Sequence, residues 1–439
     1  MNPLQWSTSA VLLAALIAQA VLPRLRLLVV TSAALLSVCA SLLLGERPAS
    51  ALLSDVPWDV LVIVVVLGLF SEFLAESRVF SLLALKAAQW SKAKPRVLLL
   101  VFVVAMYVVS GLVNNLTALL LVLPVLLGLL KLLGTTQRSL TWTLGALLVA
   151  CNLGGAATPV GDFPAILLLG RGKMTFADYL VHAAPQTLVA LAAFVALVFV
   201  VDPTRGSPQS ALQQRLALTT MAAMHRNMRV DRRLLVPGVV ALVGMLVGWV
   251  VLPASSVGPE VIAWLGAAAL WWARPALAEA LLRRRVDVEA VLFLFSLFVL
   301  VGAVRSAGTF ELAGRALESL PVSPRLQVVV FLVSAAVLTG LFSAGPGMAA
   351  LLEVAERLAQ KHPPTAIYVG LAMSVCAGSS LFLTAATSGP LTQALTERAQ
   401  LRLPDGGTAR LGFSEFLPVG LLAFAVILST GLVFVMVSL

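Results

Sequence analysis

The sequence predicts an all-α, polytopic membrane protein built as two inverted repeats of five transmembrane helices, each with a re-entrant hairpin and a broken helix. Of its 439 residues, 60% are hydrophobic and 11% are charged, which is far outside the range of soluble domains. A window of roughly 20 residues, the length that spans a bilayer, finds the apolar segments. They lie at 8–23, 27–45, 58–76, 97–133, 141–170, 183–201, 233–252, 256–273, 289–306, 326–358, 364–395 and 417–438.

Four of these segments predict something other than one straight span. At about 1.5 Å per residue, segment 97–133 would measure roughly 55 Å, against a hydrocarbon core of about 30 Å. It must fold back, and 326–358 is similarly overlong, so we predict a hairpin at each. Small and polar residues interrupt 141–170 and 364–395, and we predict that each crosses once as a broken helix. With the remaining segments this makes about ten crossings.

The charged residues orient this scheme. The formal net charge is +10, and the Arg and Lys residues form short clusters between apolar segments, as in cytoplasmic loops rather than in a nucleic-acid-binding surface. One arrangement places these clusters on a single side, with both flanks of hairpin 97–133 inside and both flanks of hairpin 326–358 outside. Segment 202–232 is then a basic cytoplasmic linker between repeat 1–201 and repeat 233–439. We expect a multi-pass protein of the inner (plasma) membrane with both termini outside.

Three consecutive pieces of the first half resemble pieces of the second half in order and spacing. WDVLVIVVVLGLF from Trp58 aligns with VEAVLFLFSLFVL from Val288, VSGLVNNLTALLLVLP aligns with LTGLFSAGPGMAALLEV, and the stretch from Cys151 aligns with that from Cys376. Because the first unit enters the membrane from outside and the second from inside, the repeats are inverted. Inverted repeats with interrupted helices are typical of secondary transporters, whose sites lie near the midplane where helices break. Irregular backbone at that depth must be packed in protein or line a wet cavity, so we expect 152–162 to line a site.

These pieces also carry a family resemblance. The opening WDVL, the hairpin SGLVNNLTALLLVLPV and the stretch NLGGAATPVGDFPAILL resemble the ArsB/NhaD permeases, within the ion transporter superfamily that includes citrate and other divalent-anion:sodium symporters. The resemblance covers nearly the whole chain from Trp58 and is most specific in the first half. It implies the inverted-repeat fold, an elevator-type transport cycle, Na⁺ or H⁺ as coupling ion, and a homodimer.

The resemblance further implies which residues bind ligands, because in that family the hairpin tip and the unwound loop together hold a cation and the substrate. In the first half these positions are Asn114, Asn115, Thr117, Asn152, Gly154, Gly155, Thr158 and Asp162, with Asn114, Asn115 and Asp162 as candidate Na⁺ ligands. In the second half they are Ser343, Gly345, Ser379, Ser380, Thr384, Thr387 and Ser388. The second hairpin tip has neither carboxamide nor carboxylate, which departs from the family pattern and puts a second cation site in doubt.

Each candidate also has a structural interpretation. The two asparagines could form interhelical hydrogen bonds, the glycines could allow close packing, Asp162 could cap a helix, and the second-half hydroxyls could bond to carbonyls of their own helix. We favour ligand roles for Asn114, Asn115 and Asp162. Freed carbonyls and side-chain oxygens suit a hard cation, and a carboxylate at membrane depth is costly unless it has a function. Glu72, near the end of its span, is either structural or part of a gate.

These observations predict a secondary active transporter, coupled to Na⁺ or H⁺, that moves a small ion by Na⁺/H⁺ antiport or carries an inorganic anion such as arsenite. A sodium-coupled citrate or dicarboxylate symporter is the alternative. The predicted midplane supplies hydroxyls but no Arg or Lys besides Arg305, which argues against a dicarboxylate substrate and favours a small inorganic ion. A passive channel is a further alternative. An enzyme is disfavoured because the sequence contains no zinc motif and no nucleophile with a base, and we expect no cofactor besides the coupling ion.

Overall fold

A computed structural model describes residues 3–22, 25–44, 48–201, 211–252, 256–285, 288–342, 344–386, 388–404 and 406–439. This part of the chain is almost entirely helical, and an isolated β-bridge pairs Arg402 with Thr408. The helices are α1 (Pro3–Val21), α2 (Arg26–Leu44), α3 (Ala49–Ser54), α4 (Trp58–Glu76), α5 (Val79–Trp90), α6 (Pro95–Leu112), α7 (Asn115–Leu133), α8 (Gln137–Ala157), α9 (Phe163–Gly170), α10 (Phe176–Val201), α11 (Ala211–Asn227), α12 (Arg232–Val251), α13 (Pro259–Ala273), α14 (Pro275–Arg285), α15 (Val288–Ser306), α16 (Thr309–Glu318), α17 (Pro324–Phe342), α18 (Ala344–Leu358), α19 (Pro364–Ser379), α20 (Ser388–Ala399) and α21 (Phe413–Ser438).

The predicted all-α polytopic fold is confirmed. Among the described residues, ten helices are long and apolar enough to cross a membrane, which matches the expected number but not the expected set. The ten include α6 and α7, the arms of the first hairpin, and α17, the first arm of the second. By contrast α13 and α19, which were predicted to cross, have only 15 and 16 residues. Length and apolarity alone do not distinguish these helices, because a hairpin arm here is as long as a full span.

Among the described residues, five helices lie outside the predicted apolar segments, namely α3, α5, α11, α14 and α16. The chain bends by 118° between α13 and α14. Pro275 follows Arg274, whose backbone is non-helical, as expected for a residue before proline. Within the segment interpreted as a linker, residues 202–210 lie outside the described residues, whereas α11 is helical and packs against α5 and α7.

The first hairpin, α6 and α7, begins and ends on one face of the molecule. Pro95 at the start of α6 and Leu133 at the end of α7 line the same small cavity. Gln137, just after α7, donates a hydrogen bond to the backbone oxygen of Arg410 at 2.6 Å. The hairpin thus shares this face with a loop that the charge pattern assigns to the cytoplasm.

The second hairpin, α17 and α18, likewise starts and finishes on one face. Lys361, after α18, pairs with Glu318 at 2.9 Å, and Gln327, near the start of α17, donates to the backbone oxygen of Glu318 at 3.0 Å. The two arms therefore meet at the end of α16.

Helix α4 shows that these two faces are opposite. At one end of α4, the backbone N–H of Asp231, from the linker side, donates to the oxygen of Ser77 at 3.1 Å. At the other end, Asp55 pairs with Arg305, which in turn pairs with Glu353 of α18. The second hairpin therefore opens at the face away from the linker, as the charge pattern predicted.

Both halves contain the same succession of packed helices. Helix α6 packs on α8 and α8 on α10, as α17 packs on α19 and α19 on α21. The hairpin crosses the broken helix at glycines in each half. A Cβ atom added to Gly111 would lie 3.3 Å from the oxygen of Gly154, and one added to Gly340 would lie 3.3 Å from the oxygen of Gly378. The repeat inferred from weak sequence similarity thus has an equivalent packing contact in each half.

Candidate functional site

The tip of the first hairpin consists of Val113 and Asn114, between α6 and α7. The Asn114 side chain caps α7 by accepting a hydrogen bond from the Leu116 backbone N–H at 2.9 Å, which is the usual role of asparagine at a helix start. Its own N–H donates to the Ser71 hydroxyl of α4 at 3.3 Å. The Asn114 side chain is therefore a helix cap, which the sequence did not predict, and its carboxamide oxygen is already engaged by the backbone.

Asn115 is buried and holds the hairpin tip against the first broken helix. Its backbone N–H donates to the oxygen of Gly161 at 3.3 Å, and its side-chain oxygen accepts a hydrogen bond from the Ser110 hydroxyl. The same hydroxyl donates to the backbone oxygen of Cys151 at 2.7 Å. Side-chain and backbone oxygens from α6, α7 and α8 thus gather around one carboxamide.

The first broken helix is interrupted at residues 158–162, between α8 and α9. Thr158 donates to the oxygen of Gly111 at 2.6 Å, so its hydroxyl joins the break to the hairpin. Asp162 caps α9, because its Oδ1 accepts from the Phe163 backbone N–H at 2.9 Å. The cap predicted as the structural alternative is therefore present, and it leaves the carboxylate beside the break, partly exposed.

The expectation that the chain unwinds from Asn152 onward needs correction. Asn152, Gly154 and Gly155 lie inside α8, which continues to Ala157. The two glycines allow close approach instead. A Cβ atom on Gly154 would collide with the backbone oxygen of Tyr107, and one on Gly155 would lie 2.7 Å from Nδ2 of Asn115. The bare backbone of Gly155 therefore makes room for the Asn115 side chain.

Asn152 connects the two halves of the molecule. Its side-chain nitrogen donates to the backbone oxygen of Ser379 at 3.3 Å and to the Ser380 hydroxyl at 3.1 Å. Its side-chain oxygen accepts from the Ser388 hydroxyl at 3.3 Å. One buried carboxamide thus spans the second break, between α19 and α20, from the middle of the first broken helix.

The other candidates of the second half have mixed placements. The Ser379 hydroxyl donates to the oxygen of Cys376, one turn back in its own helix, at 2.9 Å, which is the back-bonding alternative. Thr384 is exposed. Gly345 lies near the first half, since a Cβ atom there would sit 3.8 Å from the Phe163 ring. Ser343 and Thr387 lie outside the described residues.

Two further residues of the site were not assigned individually from the sequence. Ser110 and Gly161 both contact Asn115, and the hydroxyl of Ser110, directly before Gly111, was the available sequence signal. Thr117, predicted as a ligand, donates to Oε1 of Glu72 at 3.1 Å. Glu72 therefore faces the hairpin from α4, and Thr117 links two elements rather than only lining the tip.

The polar groups around the first break are mostly oxygens. These positions carry carboxamides, hydroxyls, backbone oxygens and the Asp162 carboxylate, and among the described residues no Arg or Lys side chain forms a hydrogen bond or ion pair with them. Such neutral and anionic oxygens are the ligands preferred by Na⁺-like and other hard cations. Arg305, the basic residue considered for an anion, lies instead between Asp55 and Glu353.

Comparison with known proteins identifies the family. The profile of the citrate transporter family matches residues 12–284, which is more than half of the chain. The chain belongs to the citrate transporter family. It is therefore a secondary transporter. It is 28% identical over 352 residues to an uncharacterized transporter of Mycobacterium tuberculosis, covering 79% of this chain and 80% of the relative. It is also 28% identical over 392 residues to the magnetosome protein MamN of Paramagnetospirillum magneticum, covering 89% and 88%.

A solved structure supports the fold of this citrate transporter family member. The crystal structure of the YdaH transporter of Alcanivorax borkumensis matches with a TM-score of 0.56 and 16% identity, covering 89% of this chain and 86% of that one. At this identity the likeness concerns the fold alone. The predicted superfamily is confirmed, and the narrower resemblance to ArsB/NhaD permeases stays a prediction.

Proposed function

We propose that the protein is a cation-coupled secondary active transporter whose coupling ion, Na⁺ or H⁺, binds where the first hairpin tip meets the break after α8. The contacts of Asn115 carry this proposal, because its backbone joins Gly161 and its carboxamide lies between Ser110 and Gly155. A single residue thus ties the tip to both sides of the broken helix. Binding a cation to these oxygens would stabilise the closed arrangement of the tip.

Asp162 is the proposed coupling group. It is the acidic residue at the first break, and carrying an unpaired charge through the apolar barrier costs several kcal/mol. The carboxylate would therefore travel either beside a cation or protonated, so that protons and Na⁺ compete. Its capping bond to Phe163 keeps it at this position in either state.

We propose a small inorganic ion as the transported species, by Na⁺/H⁺ antiport or as an anion such as arsenite. The support is the side-chain set at the site, which offers oxygens and, among the described residues, no basic partner for the several carboxylates of a substrate such as citrate. A sodium-coupled citrate or dicarboxylate symporter is the second candidate, and the family match favours it. A carboxylate substrate would need the bound cation and helix N-termini such as that of α9 to balance its charge.

The proposed cycle is elevator-type alternating access in the inner membrane, with a homodimer as the assembly. The support for the elevator cycle is the packing of the two hairpins and two broken helices on one another, and we infer that they move as a unit. The homodimer rests on the family resemblance alone.

The test uses the full-length protein in proteoliposomes with imposed Na⁺ or H⁺ gradients and labelled Na⁺, arsenite or citrate. A coupled carrier accumulates one of these species against its own gradient, whereas a passive channel only equilibrates it. Uptake is then recorded against pH at fixed Na⁺ for wild type and Asp162→Asn. Asparagine is itself a good cap, so this variant removes the charge and keeps the helix start. We expect the variant to lose pH-dependent, gradient-driven uptake. Superimposable pH profiles would exclude Asp162 as the coupling group.

A further inference from the structure

A cluster of charged side chains joins two groups of helices at the face where the second hairpin opens. It consists of Asp55, Arg171, Arg305 and Glu353, which we call the outer cluster. Arg305 pairs with Asp55 at 3.4 Å and with Glu353 at 3.3 Å, and Arg171 pairs with Glu353 at 3.6 Å. The Glu353 side chain is only 10% exposed, so the two arginines meet a carboxylate that is largely shielded from water.

We divide the helices that carry these four residues into two bodies, which contact each other where α4 meets α9 and α15 meets α18. Helices α1, α2, α12 and α13 pack around α4 and α15, which we call the frame. The hairpins, the broken helices, α10 and α21 pack on one another and form what we call the core body. Asp55 precedes α4 and Arg305 ends α15, so both belong to the frame. Glu353 lies on α18 and Arg171 follows α9, so both belong to the core body.

We propose that Arg305 forms an outer latch, an ionic bridge from the frame to Glu353 that holds the core body in the position seen here and opens when that body moves. This inference rests on the proposed elevator cycle. The Arg171–Glu353 pair lies within the core body, travels with it and stays formed. When the latch opens, Arg305 keeps Asp55 as its partner and Glu353 keeps Arg171, so neither charge is left alone at a costly depth.

This division of partners explains why the cluster has four members. A single Arg–Glu pair across the gap would leave two uncompensated charges whenever it opened, and a partly buried unpaired charge is strongly unfavourable. With one fixed partner on each side, the bridge can break at low cost. Such a bridge shifts the equilibrium between the two positions of the core body, and both positions stay accessible.

The experiment measures that equilibrium by distances between spin labels in full-length protein in lipid nanodiscs. Labels are attached after Val288→Cys on the frame and Ala394→Cys on the core body, since both positions are exposed. The exposed Cys39 is replaced by alanine. The variants are Arg305→Gln, which removes the bridge between the bodies, and Arg171→Gln, which removes a bridge to the same carboxylate within one body.

We expect Arg305→Gln to lower the population of the described position relative to the alternative by about five-fold, the upper range for a partly exposed ion pair. Arg171→Gln should leave the ratio near that of wild type. Two populations with the same ratio in all three proteins, or an equal shift in both variants, would overturn the latch and leave the elevator cycle standing. A single narrow distance in every protein, with and without Na⁺, would contradict the elevator cycle and the latch together.

Discussion

The two halves of this transporter share a backbone arrangement and differ in the side chains placed on it. In each half a hairpin crosses a broken helix at a pair of glycines, Gly111 with Gly154 and Gly340 with Gly378. At the position before the hairpin glycine of this crossing, however, Ser110 bonds to Asn115, whereas its counterpart Thr339 has a buried hydroxyl without a partner among the described residues. The repeat therefore preserves packing, while the polar chemistry is concentrated in the first half.

We expect the largest loss of stability from substitutions at the glycine contacts that both halves share, and the loss should be equal in the two halves. Gly154→Ala and Gly378→Ala each place a methyl group against a backbone oxygen, of Tyr107 and Ala336 respectively. Backbone cannot swing aside as a side chain does, so we expect a loss of at least about 1–3 kcal/mol of stability in each case. Melting in detergent, followed by tryptophan fluorescence, measures this.

The matched controls are Gly128→Ala in the first half and Gly244→Ala in the second, where an added Cβ meets nothing within 4 Å. In those helices alanine should be neutral or stabilising by roughly 0.5–1 kcal/mol. A large loss for only one of the two crossing glycines would show that the halves are not equivalent in packing.

The next largest change in stability should differ between the two halves. Ser110→Ala leaves the buried Asn115 oxygen without its donor, which costs about 1–3 kcal/mol. Thr339→Val removes a hydroxyl that has no partner in the described part of the chain and keeps the shape, so it should be neutral or stabilising by about 1 kcal/mol. The same melting measurement tests both variants. Equal destabilisation would mean that Thr339 has a bonding role like that of Ser110.

The smallest expected change in stability arises at the open ends of the two hairpins, and it depends on pH. The hydrogen bond from Lys361 holds the pKa of Glu318 below its ordinary value, whereas the first hairpin is tied by the uncharged Gln137. A lowered pKa in the folded state stabilises the protein above the unfolded pKa, and the benefit is lost as pH falls through the folded pKa.

Lys361→Gln should therefore give a slight loss of melting temperature at neutral pH that vanishes in acid. Gln137→Ala should give a difference from wild type that does not change with pH. The Glu318 side chain is 30% exposed and that of Lys361 is 60% exposed, so screening by salt should weaken the first effect further. A difference for Lys361→Gln that grows toward acid pH would contradict the sign of this linkage.

The sequence predicted the polytopic helical fold, both overlong segments and both interrupted segments, because apolar length, proline and glycine are local features. The Asn114–Asn115 pair marked the hairpin tip for the same reason. The sequence alone could not show that Asn114 caps α7 while Asn115 faces α8, since these roles depend on the direction of neighbouring side chains. The bond from Asn152 to Ser380 and Ser388 links residues more than 200 positions apart, and no local pattern encodes it.

The placement of Arg305 likewise depends on the tertiary fold. In the sequence it was the basic residue closest to the predicted midplane, at the end of an apolar segment. The structure pairs it with carboxylates from two distant segments, one preceding α4 and one on α18. Its charge is thereby matched, which the sequence could not indicate because neither partner is near it along the chain.

In the proposed transport cycle, cation coupling belongs to the first half of the chain. The most direct test compares gradient-driven uptake in proteoliposomes for Asn115→Ala, at the first hairpin tip, and Ser379→Ala, whose hydroxyl bonds only to its own helix at Cys376 among the contacts described. Asn114→Ser keeps a cap on α7 and serves as the control for the integrity of the tip. We predict that Asn115→Ala abolishes the dependence of uptake on Na⁺ or H⁺, while Ser379→Ala and Asn114→Ser retain it. Unchanged coupling in Asn115→Ala, or its loss in Ser379→Ala alone, would contradict this account.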